Sequence, residues 1–420
     1  MKRLYKPIHL LPLLLALCAT LYTRAQDFDR YFSDATLRID YTFTGNAYEQ
    51  RINVDELVRL PRWWGKRHRL SEVPVRGNGQ ITVRDHASGA VIYRNSFSTL
   101  FQEWLSYDES KGPSRSFENV FLVPMPKDTA DVTVELFDNR QQPMVSLTHE
   151  VVPTDILIRH AGEREVTPHK LMQAAADSSR CIHIAYVAEG YQESEMPLFL
   201  QDVERCMGAL FAHEPFRSMR DRFEVTAVMS PSAESGTSIP RAGLWKQTAL
   251  HSHFDTFYSD RYLTTLHLKD LHDWLAGIAY EHIIVLVNTE QYGGGGILNS
   301  YNLSMAHHEK TLPVVVHEFG HSFGGLADEY AYETEAIPMY PHDVEPWEPN
   351  ITTRVDFESK WADLMRSHPE QAGLYEGAGY SVKGVYRSSA DCRMRTNENP
   401  TFCAVCDRAL RQLIDFYTAY

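Results

Sequence analysis

The stretch VVVHEFGHSFGGLADEY, residues 314–330, sets two histidines four positions apart around a glutamate, and the fold of the C-terminal half turns on how it is read. On a helix, residues i and i+4 share a face, so His317 and His321 can direct ring nitrogens at one ion. Glu318 sits one step round the helix, outside that pair yet close enough to take a proton from water activated by a metal. The preceding LPVVV supplies a helix start and an apolar face, while Gly324 and Gly325 can end the helix at positive φ and turn the chain back. A third ligand can then arrive within a few residues, and two acids compete for the place. Asp328 is assigned to it, because alternation along an extended segment turns Glu329 away once Asp328 faces the ion. A carboxylate oxygen at about 2.0–2.2 Å would leave the fourth position of a zinc ion open for water. A plain core helix with two hydrogen-bonded histidines is the competing reading.

Working outward, residues from about 180 alternate between strand and helix patterns. CIHIAYVAEGY, FEVTAVMS and HIIVLVNT read as strands, ESEMPLFLQDVERCMGALFA and TLHLKDLHDWLAGIA as helices. Between them and the histidine helix, QYGGGGILNSYNLSMA leads into a run that could form an edge strand, and GGILNSYNLSM within it is the best candidate to receive an extended substrate. Before residue 155 the periodicity is that of strands, in ATLRIDYTFTG, GQITVRDHASGAVIYRNSF, FENVFLVPM and DVTVELFDNRQQPMVSLTHEVV, broken by Gly, Pro, Asn and Asp turns. The expected architecture is therefore α+β: an all-β sandwich over residues 26–155, a linker over 156–179 and an α/β catalytic domain over 180–420. WWGKRHRL (63–70) reads as a buried aromatic pair beside a solvated basic run.

The first residues, MKRLYKPIHLLPLLLALCATLYTRAQ, carry a basic start, an apolar run around Leu13 to Leu17 and a Thr23-Arg24-Ala25 pattern before Gln26. Residues 1–25 are read as a secretory signal peptide, the apolar run being shorter than the about 20 residues a span needs. No later segment could cross a bilayer, so the mature chain is expected to be secreted, with no integral membrane segment. The chain carries 41 basic and 55 acidic residues. Residues 1–25 include four of the basic ones and none of the acidic ones, which leaves a formal charge of −18 and makes nucleic acid an unsuitable partner.

The combination of HEFGHSFGGLADEY, CRMR and FCAVC in an exported chain with a β-rich front domain resembles the IgA-specific metallopeptidase family of bacteria, on the metzincin side of the HExxH zinc peptidases. The resemblance covers residues 180–420 closely and the front domain by architecture. It implies a zincin-like (metzincin-like) catalytic domain, a single catalytic zinc ion, and hydrolysis of peptide bonds in a protein or peptide substrate. Carried over residue by residue, it makes His317, His321 and Asp328 the metal ligands, Glu318 the general base and Met394 the methionine turn beneath the metal. One departure stands out: a metzincin histidine would fall on Ala327, and the acid comes one residue later, which leaves the third position between Asp328 and Glu329. Tyr330, Tyr380, Tyr386 and Arg395 are candidates to stabilise an oxyanion.

Cys392, Cys403 and Cys406 could form a disulfide with a spare thiol or supply three ligands of a second zinc. Export and the lack of a fourth ligand nearby in sequence favour the disulfide, pinning the methionine turn. Cys181 and Cys206 are expected in the core. Two other functions fit parts of the pattern: a surface binding protein for glycans or host proteins with a structural metal, or a zinc amidase or deacetylase. A purely structural site has no use for the base at Glu318.

Overall fold

The computed structural model describes residues 28–333 and 339–419; the expected signal peptide lies outside them. The chain is α+β, with four sheets and few helices among the described residues. Its N-terminal part contains β1 (Phe32–Gly45), β2 (Gln50–Leu60), β3 (Gly79–Asp85), β4 (Val91–Phe97), β5 (Arg115–Pro126), β6 (Ala130–Phe137), β7 (Pro143–Val151) and β8 (Arg159–His160). These form two sheets, in the orders β5-β1-β2-β8 and β4-β3-β6-β7. On β6, Ala130, Val132, Val134 and Leu136 are buried while the residues between them are partly open, the period-2 pattern of a strand with one face on a core. The two sheets meet through Phe97 and Phe121, ring centroids 4.1 Å apart, and through the Tyr41 hydroxyl, 2.7 Å from His149 Nε2.

The second half is built on a six-stranded sheet, order β13-β14-β12-β10-β11-β9, from β9 (His169–Gln173), β10 (Ile182–Glu189), β11 (Phe223–Val228), β12 (His282–Val287), β13 (Gly294–Ile297) and β14 (Tyr301–Met305). The inner pairs are parallel, and the two edges, β9 and β13, run antiparallel to their neighbours. Every residue of β10 and β12 is buried, as expected of parallel strands covered on both faces. One face carries α1 (Met196–Leu210), α2 (Thr311–Ser322) and α3 (Ala404–Thr418), packed through Phe199, Val203, Val315, Phe319 and Leu410 against Ile184 and Tyr186. The other face, through Ala185, Val187, Val285 and Leu303, shares a continuous core with the sandwich. A smaller sheet of β15 (Ile351–Thr352), β16 (Tyr375–Ala378) and β17 (Ser381–Arg387) lies between α2 and α3 in sequence.

The segment read as a linker, 156–179, contributes a strand to each half: β8 pairs with β2, and β9 with β11. Its strands are short and mostly exposed, which is why no alternation marked them. The basic run at 63–70 is not wholly solvated either. Lys66 is buried, and its ammonium donates to the carbonyls of Glu72 and Arg94 at 2.6 and 2.9 Å. A buried ion pair ties the halves: Arg38 on β1 bonds Asp40 at 2.7 Å and reaches Asp273 of the second half at 2.5 Å. No described helix is long and apolar enough to cross a membrane.

Candidate metal centre

Helix α2 begins at Thr311 with Pro313 in its first turn, where a missing N–H removes no helical bond. It ends where Gly325 takes φ +60°, a left-handed conformation that costs glycine little, and the Gly325 N–H returns to the His321 carbonyl at 3.0 Å. This cap has a second use. It places the Leu326 carbonyl 2.6 Å from His321 Nδ1, and the Arg393 carbonyl stands 3.0 Å from His317 Nδ1. A carbonyl can only accept, so both Nδ1 atoms carry the proton and both Nε2 atoms of the neutral rings present lone pairs.

Those two Nε2 atoms lie 3.1 Å apart, and Asp328 Oδ1 lies 3.1 Å from the first and 3.3 Å from the second. Ligand atoms about 2.0–2.1 Å from a tetrahedral ion stand about 3.3–3.4 Å from one another, so the three fit one divalent cation. Asp328 Oδ1 is buried without a hydrogen-bond donor, and Oδ2 accepts from the Tyr380 hydroxyl. The electrostatics agree. Burial lowers the affinity of His321 for a proton, yet the Asp328 carboxylate outweighs it and raises the pKa to about 9. Burial pushes Asp328 upward, but the two imidazoles hold it far below the carboxylate range. The cluster therefore takes up positive charge, as protons or as a cation, and the lone-pair geometry suits a cation.

Asp328 and Glu329 diverge. The Asp328 carbonyl accepts from Gly379 N–H at 2.9 Å and the Glu329 N–H donates to the Met394 carbonyl at 2.8 Å, so the segment is held from two sides and successive side chains alternate. Asp328 faces the histidines, whereas Glu329 Oε1 lies 3.2 Å from Cys406 Sγ. The disulfide expected among Cys392, Cys403 and Cys406 is not formed. All three are free thiols, and the sulfurs of Cys392 and Cys406 stand 3.8 Å apart against about 2.05 Å for a bond. Glu329 brings the fourth polar group that was not visible beside them. Cys181 and Cys206 are buried.

Met394 is fully buried in a turn closed by the Arg395 N–H on the Cys392 carbonyl at 2.9 Å. It packs beneath α2: a Cβ at Gly320, between His317 and His321 in the helix, would meet the Met394 sulfur at 2.6 Å. Glu318 lies on the cleft side of the helix beside β13, where a Cβ on Gly294 would stand 3.0 Å from its Oε1. Burial raises its pKa, against the pull of the two imidazoles.

The cleft over this cluster encloses about 1100 Å³ and is walled by both halves of the chain. Gly294 to Ile297 of β13 line one side, and Gln102 and Glu103 from the short sandwich helix Leu100–Trp104 line another. Glu103 accepts a hydrogen bond from the Tyr262 hydroxyl, and burial lifts its pKa to about 7. Nothing local in the sequence marked Glu103, because it reaches the cleft only by packing of the sandwich. Asn350 was missed as well; its side chain brackets Ala327 at 2.8 and 2.9 Å and so fixes the approach to Asp328. Of the oxyanion candidates, Tyr330, Tyr380 and Arg395 line the cleft. Tyr386 sits on β17 with the Arg354 guanidinium 5.6 Å from its ring centre, and it is not part of the cleft wall.

The family model described as IgA Peptidase M64 matches residues 171–368 and 365–414, and that described as Peptidase M64 N-terminus matches residues 27–148. Among curated proteins none matches the chain. The cleft half and the sandwich half are thus both accounted for, and the chain belongs to the M64 family of IgA peptidases, a family of peptide-bond hydrolases.

Proposed function

We propose that this chain is an exported, zinc-dependent endopeptidase in which His317, His321 and Asp328 hold one catalytic ion and Glu318 is the general base. The convergence of two imidazole lone pairs and an undonated carboxylate oxygen within 3.1–3.3 Å of one another carries the reading. A metzincin-like character of the catalytic half is supported by the glycine turn after α2 and by Met394 beneath it.

His317, His321 and Asp328 would hold a zinc ion there, which when bound would supply Lewis-acid polarisation of the scissile carbonyl and a lowered pKa for water. Glu318 accepts the proton released as water attacks and delivers it to the departing amine, which its cleft position and raised proton affinity suit. Asp328 is kept in place by Tyr380 and the Asn350 bracket, so the ligand set is oriented before substrate arrives. An extended peptide adds along β13, whose outer edge takes one bridge, from Tyr262 to Gly294. Tyr330 and Arg395 are the donors at hand for a developing oxyanion. A cleft of about 1100 Å³ suits an extended peptide.

The test is digestion of a proteome-derived peptide library by the zinc-loaded protein, with and without a chelator, followed by sequencing of the new termini. Internal cleavages that vanish with chelator are expected. A library left intact, or cut equally in both arms, would overturn the proposal.

A further inference from the structure

We propose that the chain holds a second zinc ion, in a closed structural site made by Cys392, Cys403, Cys406 and Glu329. The four ligand atoms all lie within 4.8 Å of one another, and none of the four residues lines the cleft. Thiolates about 2.3 Å from a tetrahedral zinc stand about 3.8 Å apart, and a sulfur and a carboxylate oxygen about 3.5 Å apart. The observed separations are 3.8 Å between Cys392 and Cys406 and 3.2 and 3.9 Å from Glu329 Oε1 to Cys406 and Cys403.

The surroundings are those of anionic sulfur. Cys392 Sγ accepts from the Cys403 N–H at 3.2 Å, and Cys403 Sγ accepts from the Cys406 N–H at 3.4 Å. Cys403 is the N-cap of α3, where the free N–H groups of the first turn favour negative charge. Asn350 orients Glu329 by donating to Oε1 at 3.0 Å, while Oε2 is buried with no hydrogen-bond donor. The guanidinium of Arg387 donates to the carbonyls of Glu376 and Gly377 rather than to Glu329. A buried carboxylate packed against three thiols is costly unless a cation joins them, and three sulfurs with one oxygen in tetrahedral spacing suit zinc. Four protein ligands leave no position open, so the site is structural.

Its placement gives it a task. Glu329 follows Asp328, Cys392 starts the turn that ends beneath α2 at Met394, and Cys403 and Cys406 start α3. One ion would therefore clamp the third cleft ligand, the methionine turn and a core helix together. The site itself stands independently of the reading of the cleft.

The experiment is zinc stoichiometry of the full chain, purified under reducing conditions and equilibrated with zinc, for wild type, for His317→Ala/His321→Ala and for Cys403→Ser/Cys406→Ser, with a cobalt-substituted arm. Expected are two zinc ions in wild type and one in the histidine variant, which should keep the thiolate-to-cobalt charge-transfer band; the cysteine variant should lose that band. If the cysteine variant does not fold, thiol alkylation of the intact wild type decides, the three thiols being protected until chelator is added. A histidine variant with no zinc and no such band, or three thiols that alkylate in the zinc-loaded protein, would overturn the second site. Failure of the cleft reading looks different: the histidine variant would keep all the zinc of wild type.

Discussion

A Cβ placed on Gly296 would lie 2.4 Å from the carbonyl oxygen of Glu318, so the edge strand β13 rests directly on the backbone of the helix that carries His317 and His321. The contact is backbone to backbone and cannot be relieved by a rotamer change. Gly296→Ala is expected to push β13 away from α2 and to lower kcat/KM on the order of 100-fold, the scale of a misplacement near 1 Å. Far-ultraviolet circular dichroism should stay as in wild type. An alanine variant with wild-type kinetics would show that the strand does not set the substrate path.

Glu318→Ala removes the proton acceptor without touching a ligand. Hydrolysis should fall on the order of 10²–10⁴-fold while the zinc content of the cleft is unchanged. Mass-spectrometric metal analysis beside a peptide-cleavage assay checks both halves, and zinc lost together with activity would make Glu318 a ligand instead.

Asp328→Ala should lose the cleft zinc and all hydrolysis. Tyr380→Phe, which removes only the hydrogen bond to Oδ2, should weaken zinc binding by roughly 10–100-fold and keep activity at saturating zinc. Chelator competition read by zinc release separates the two. Equal loss in both variants would argue that Tyr380 does more than orient the carboxylate.

Arg38→Ala leaves Asp40, fully buried, without its cation. Breaking such a pair costs about 3–5 kcal/mol, whereas the half-exposed Asp273 contact contributes little. Denaturant unfolding should show the loss, and Arg38→Met/Asp40→Leu should recover most of it. A loss under about 1 kcal/mol for the single variant would mean that water reaches Asp40.

His282 on β12 is buried with its ring 4.8 Å from that of Phe323, and burial depresses its pKa to about 3. The folded state keeps it neutral while the unfolded chain protonates near 6.5, so its contribution is present above pH 6.5 and is lost as pH falls toward 3. His282→Phe should therefore gain stability relative to wild type by about 2 kcal/mol between pH 6.5 and pH 5. A difference that does not change over this window would mean that His282 titrates alike in both states.

The parts of the molecule that could be read from sequence are those set by local rules. The four-residue spacing of His317 and His321, the left-handed turn at Gly325 and the alternation that turns Asp328 and Glu329 apart are all short-range, and so were visible. The apolar runs of β10 and β12 likewise announced strands, and their parallel pairing came only from the fold. What escaped depends on distant chain segments meeting. Glu329 meets Cys406 only because the 328–332 segment and the turn at Met394 share a hydrogen bond, so the three cysteines looked like a disulfide and a spare. Glu103 enters the cleft from a helix of the other half, and Lys66 is buried because backbone carbonyls replace its water. β9 was hidden for a simpler reason: an edge strand with most of its side chains in solvent has no periodicity to show.

The core shared by the sandwich and the six-stranded sheet has a consequence for the order of events after synthesis. Ala185, Val187 and Val285 find cover only when the front sheets are in place, and the same docking raises the Glu103 wall over the ligand cluster. A chain whose halves have not yet joined possesses the helix of His317 and His321 but not the cleft walled by both halves. The groove is thus a product of the docking of the two halves rather than of either alone.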